Sequence, residues 1–285
     1  MKFSAPTPLE YFATLVAEDE GLQLFEAAVS LAQDDHPRLD VQAVLAEVDG
    51  LARRLRERLT PETTPAERLR QLTRFFHGEM GFAGNLNNYY AADNSHVHRV
   101  LETRRGIPIT LAVLMLELGT QAGLRMAGVA FPGHFLVKCR VGLGEVVIDP
   151  FTGEALSYAR LDERLAVYRQ GSDLPDDLEL PLEFFLRAAT PRQILARMLR
   201  NLKEVHRAAR DWSRLLAVQQ RLVILLPGDP AERRDRGLVL QALGATAVAA
   251  EDLAFYLDAR PDAVDAAELR ARLSVLLEQR SPPLQ

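Results

Sequence analysis

Three runs of strand character follow one another with no helix between them: Met126 to Phe131, His134 to Val141 and Glu145 to Ile148. They come after a series of helical patterns instead of alternating with them, which predicts an α+β fold with an antiparallel sheet. Ahead of them, Leu9 to Ala17, Leu22 to Ala32, Val41 to Leu59 and Ala66 to Phe76 repeat apolar residues at three- and four-residue spacing. Pro61 and Pro65 punctuate the last two. Ser95 caps a short predicted helix to about Thr103. Pro108 opens another, Ile109 to Gln121, which is apolar nearly all round and therefore expected in the core.

The second and third strands read as a hairpin around Gly142-Leu143-Gly144. Phe135, Val137, Cys139 and Val141 fall on one face, and His134, Lys138 and Arg140 on the other. With Gly142-Leu143 as a two-residue turn, paired residue numbers sum to 285 and Asp149 stands opposite Leu136, diagonal to His134. Diagonal neighbours lie roughly 7 Å apart, close enough for a His–Asp hydrogen bond. Such a bond fixes the tautomer and orientation of an imidazole, as in a nucleophilic triad. A polar pair on a solvated hairpin face is the bland alternative. The flanking Pro132-Gly133 and Pro150-Phe151-Thr152-Gly153 favour a shaped site.

The third member of a triad is harder to find. Cys139, the only thiol, falls on the face opposite His134 among apolar neighbours, where a thiol is inert. A helix N-terminus suits an anionic nucleophile, and here that place is Gly106-Ile107-Pro108-Ile109-Thr110. Thr110 offers a hydroxyl there; bonding to backbone in the first helical turn is its structural alternative.

From Glu79 to Asn94 periodicity vanishes among polar, aromatic and glycine residues. Glu79, Asn85, Asn88, Tyr89, Tyr90 and Asn94 are candidates to line a pocket, against a long loop held by its own asparagines. Glu102, Arg104 and Arg105 either bind a carboxylate or phosphate or pair among themselves. His77, His96 and His98 form no expected metal site: His-x-His on a helix points the rings apart, and no acidic–histidine spacing completes a set. No cofactor is expected.

A Pro/Asp-rich connector, Gly171 to Pro181, leads to an all-helical last third. Pro227 and Pro261 are 34 residues apart, the tetratricopeptide period. The second repeat starts at Pro230 and puts Gly237 and Ala249 at the helix crossing, and a closing helix spans Ala263 to Leu277. Arg197, Arg200, Lys203, Arg207, Arg210 and Arg214 make a basic stripe, either a solvated face or a docking face for an acidic partner. The predicted divisions are 1–170 for the helices and sheet, 171–189 for the connector and 190–285 for the repeats.

Composition narrows the classes further. A net charge of -5 gives no attraction for nucleic acid, and a single cysteine excludes an internal disulfide and points to a reducing compartment. The start lacks a signal core and no apolar run is long enough for a bilayer, so a cytoplasmic protein is expected.

The run from Glu79 to Tyr90, Asn94-Ser95, and Val100-Leu101-Glu102-Thr103-Arg104-Arg105-Gly106-Ile107-Pro108-Ile109-Thr110-Leu111 closely resemble the bacterial SirB family. So do Gly133-His134-Phe135 and Ile148-Asp149-Pro150-Phe151, and the likeness covers roughly residues 40–280. The resemblance implies a transglutaminase-like domain followed by tetratricopeptide-type helices. Its core is papain-like, with a nucleophile-bearing helix packed on an antiparallel sheet that carries His and Asp. Carried over, His134 is the base and Asp149 its orienter, while the cysteine region holds no cysteine. The expectation is a non-catalytic domain that binds a peptide or small ligand, its helical repeats recruiting a protein partner. The alternative is an amide hydrolase or acyl transferase in which Thr110 or an activated water attacks. A third reading makes the helical repeats the whole function.

Overall fold

In the computed structural model, which describes residues 6–170 and 180–280, contacts fall into two units, Asp19–Met198 and Leu199–Gln285 with Met1–Glu18. Helix α1 (Pro8–Leu15) starts on a capping box in which Thr7 and Glu10 each bond the other's backbone. Its Phe12 is fully buried under the guanidinium of Arg221, so α1 packs with the C-terminal helices. Amphipathic spacing shows that a helix has an apolar face but not which partner covers it.

In the larger unit, α2 (Leu24–Ser30), α3 (Val41–Arg56) and α4 (Pro65–Thr73) precede the sheet. The periodicity read to Phe76 continues past α4 in a wider form. From Arg74 to Glu79 the turns have π geometry, and the Met80 N–H donates to the Phe75 carbonyl. Strand β1 (Ala83–Gly84) then pairs in parallel with β2 (Arg105–Gly106), on either side of α5 (Val97–Thr103) in the chain. Arg104 ends α5 with a left-handed φ of 60°. Helix α6 (Pro108–Gln121) follows at once, and every residue from 108 to 116 is buried, as its all-round apolar pattern predicts.

The sheet is an antiparallel meander of β3 (Met126–Val129), β4 (Leu136–Val141), β5 (Gly144–Ile148) and β6 (Ala155–Leu156). Val137 stands opposite Ile148 and Lys138 opposite Val147, the register expected from the two-residue turn. Helix α6 packs against β3 and β4, and a Cβ on Gly119 would lie 2.1 Å from the Met126 sulfur. Strict alternation leaves Leu136 and Val147 facing solvent, yet both are buried. Helices α7 (Tyr158–Gln170) and α8 (Leu182–Phe185) cover them, with Leu161, Leu165, Leu182 and Leu186 completing one apolar cluster. Part of the expected connector is therefore core: residues 180–189 hold α8 and a bridge from Ala188 to Val129. The rest of it, 171–179, lies outside the described residues.

Helix α9 (Pro191–Ala208) runs across the division, and α10 (Trp212–Leu225), α11 (Pro230–Ala242), α12 (Thr246–Ala259) and α13 (Ala266–Arg280) pack in chain order. A Cβ on Gly237 would stand 3.2 Å from the Ala249 carbonyl, so the crossing needs the small residue that the repeat places there. Four members of the basic stripe are ion-paired. Arg200 pairs with Asp229 and Glu232, Lys203 with Glu232 and Asp235, Arg207 with Glu204, and Arg214 with Asp211. Among the described residues no helix is long and apolar enough to cross a membrane.

Candidate functional site

Two tight turns in the sheet bring His134 and Asp149 together. In the first, Pro132 and Gly133 occupy the central positions, Gly133 at φ 66°, and the His134 N–H closes the turn on the Phe131 carbonyl. This is the residue pattern of a type II turn, which needs a left-handed third residue. In the second, Asp149 directly follows β5; its N–H donates to the Glu154 carbonyl, and its own carbonyl accepts from Gly153. The Asp149 Oδ1 also accepts from the Phe151 N–H at 2.9 Å, a side chain closing its own turn.

His134 Nε2 donates to Asp149 Oδ1 at 2.8 Å, the bond that the register predicts. A buried carboxylate only accepts, so Nε2 carries the proton and Nδ1 the lone pair of the neutral ring. Asp149 is 1% exposed, and its Oδ2 accepts from Arg164 at 3.0 Å. Burial acts to raise its pKa. The bonds from His134, the Phe151 N–H and Arg164 outweigh burial and hold it below the ordinary carboxylate value. Arg164 comes from α7, for which the sequence reading has no element; the buried Leu161 and Leu165, four residues apart, are the signal that was there.

A cavity of 690 Å³ opens beside this pair. His134, Asp149, Phe131 and Phe151 line one side; Arg160, Glu163, Arg164, Val167 and Tyr168 of α7 line the other. Phe151 sits with its ring centroid 6.3 Å from both His134 and Tyr89. Its far edge presses on Gly84, where a Cβ would come within 2.1 Å of the ring. Gly84→Ala should therefore displace Phe151 and lower stability by about 1–3 kcal/mol, the usual range for overpacking. A shift of the His134 ring proton resonances should accompany it. Unchanged resonances would mean that Phe151 does not transmit the change.

Most of the other expected site residues are absent from the lining of this cavity. Thr110 is fully buried and its hydroxyl has no hydrogen-bond partner, so it does not make the backbone bond read as its structural alternative. Cys139 is fully buried, and burial pushes its thiol up to about 11. Asn85 donates to Asn94, and Asn94 donates to the Asn88 and Tyr89 carbonyls, so these amides brace their own loop. Glu79 pairs with Arg58 and Glu102 with Arg99. Arg104 lies over the Phe82 ring, and Arg105 donates to the Gly81 carbonyl at 2.7 Å. Of the loop residues, Tyr89 reaches the site, through Phe151.

The histidines also depart from expectation. His96 is extended, at φ -97° and ψ 117°, and precedes α5. Its ring therefore stacks on that of His98 instead of diverging from it. His36, distant in sequence, joins them with its centroid 4.5 Å from His98. Burial, with His36 beside it, pulls His98 down to about 4. His77 packs under Gly153, its Nδ1 bonded to the Phe82 carbonyl; burial pulls its pKa down against that bond and the charge of Asp149.

Comparison with known proteins follows this division of the chain. A family model described as the transglutaminase-like superfamily matches residues 42–200, and one described as tetratricopeptide repeat matches residues 202–274. A UPF0162 protein of Xylella fastidiosa is 34% identical over 92% of this chain and 93% of its own. The SirB1 protein of Salmonella typhimurium is 27% identical over 85% of this chain and 89% of its own. A solved structure of menin superposes with a TM-score of 0.44 and 11% identity, over 92% of this chain and 67% of that one.

Proposed function

The chain belongs to the transglutaminase-like superfamily, as a SirB-family protein with a tetratricopeptide region, and we propose that it binds a peptide or small ligand beside His134 without turning it over. The observation that carries this reading is an oriented imidazole on the wall of a 690 Å³ cavity while Thr110 and Cys139 are both buried. The volume suits a small ligand or a few residues of peptide. Phe131, Phe151, Val167 and Tyr168 offer apolar contact, Arg160 and Glu163 offer charge of both signs, and the His134 lone pair accepts from an N–H or O–H. Asn85 and Arg105 serve this site through the loop that they brace. The tetratricopeptide helices recruit a protein partner, the general use of stacked helical repeats.

A second reading rests on the 2.8 Å His134–Asp149 bond, which also suits a base that activates water for amide hydrolysis or acyl transfer. One experiment separates the two. Given a glutamine-bearing peptide and a primary amine, the wild-type protein should release no ammonia and form no cross-link. Peptides that perturb the His134 resonances should bind about 10-fold or more weakly to the His134→Ala protein. Ammonia release that depends on His134 would overturn the non-catalytic reading.

A further inference from the structure

We propose a transition-metal site of the zinc class where His36, Asp93 and His96 meet in the larger unit. Each offers one ligand atom, and the three atoms lie within 4.8 Å of one another. Two imidazoles and one carboxylate suit Zn²⁺, Co²⁺ or Ni²⁺, whereas Mg²⁺ and Ca²⁺ prefer oxygen alone. Ligand bonds of about 2.0–2.1 Å in a tetrahedron hold donors roughly 3.4 Å apart. His36 and Asp93 are half-buried and His96 is buried, so the group stands at the edge of the core.

The surroundings are built as a metal site's are. Asp93 accepts from Arg99 Nε at Oδ2, 3.0 Å away, which orients the carboxylate and leaves Oδ1 to ligate. A second carboxylate, Asp35, stands 3.4 Å from His96 Nε2. His98 is 8% exposed, its ring is 4.5 Å from that of His36, and its Nδ1 is buried with no hydrogen-bond partner. A buried nitrogen of that kind marks a polar pocket beside the three ligands. Metal binding here ties residue 36 to the end of the 79–95 loop. That loop carries Tyr89 to the edge of the His134 site, so the ion acts as a clamp and takes no part in chemistry at His134.

The test uses the untagged full chain, stripped with chelator and titrated with Co²⁺ under visible absorption, then with Zn²⁺ in competition. One equivalent should bind and give the spectrum of nitrogen–oxygen coordination. His36→Ala and the nearly isosteric Asp93→Asn should each weaken binding about 100-fold or more, since loss of an outer partner alone costs 10–100-fold. His134→Ala should bind as wild type. Should His36→Ala fail to fold, Asp93→Asn carries the answer. No saturable binding by the wild type, unchanged binding in Asp93→Asn, or loss in His134→Ala would each overturn the site.

Discussion

Replacing Asp149 by alanine should destabilise the protein by roughly 3–5 kcal/mol, the range for removing one partner of a buried charged pair. Three donors lose their acceptor at once: His134 Nε2, the Phe151 N–H and Arg164. The turn that carries Phe151 loses its closing bond with them. Thermal unfolding should fall by about 10 °C for a chain of this size. The dependence on pH has a definite sign. The folded carboxyl titrates below its ordinary value, so its contribution is present above about pH 4, the unfolded value, and is lost as pH falls through the folded one. The stability gap between wild type and Asp149→Asn should hold steady near neutrality and narrow below about pH 4. Urea midpoints across that range check it. A gap that does not change would mean that Asp149 is not held ionised by its partners.

Asp252→Ala should remove about 3 kcal/mol from the helical repeats. Asp252 is 1% exposed and grips Arg236 through two bonds, Nε to Oδ2 at 2.6 Å and Nη2 to Oδ1 at 2.7 Å. The clamp ties α11 to α12 next to Gly237, where a Cβ would stand 3.2 Å from Asp252 Cβ. Removing the carboxylate strands a guanidinium that is mostly shielded from water. Changing both residues to apolar ones of similar size should recover much of the loss, because the stranded charge goes with its partner. Chemical denaturation of the two single variants and the double variant measures this. A single-variant loss below about 1 kcal/mol would place the pair among ordinary surface bridges.

The hairpin was the most legible part of the chain. Its turn residues and alternation fix the register, and the register fixes the His134–Asp149 bond. Helix α6 was legible too, because only a buried helix is apolar on every side. Three features were not. Composition cannot say whether an amide points into a pocket or back to its own loop, so both readings stayed open for Asn85 and Asn94, whose bonds run within the loop. Arg164 reaches Asp149 from a helix covering a face that alternation assigns to solvent, a tertiary event with no local period. His36 meets His96 because their segments pack together, and spacing along the chain holds no record of that.

The threefold engagement of Asp149 bears on how the motif is inherited. A carboxylate that only oriented an imidazole would drift once nothing at the site did chemistry. This one also closes the turn at Phe151 and neutralises Arg164, so a lineage that discards it loses folded protein before any question of activity arises. Selection for abundance alone is enough to preserve the histidine's partner. The Asp-Pro-Phe signature is therefore held in place by folding alone.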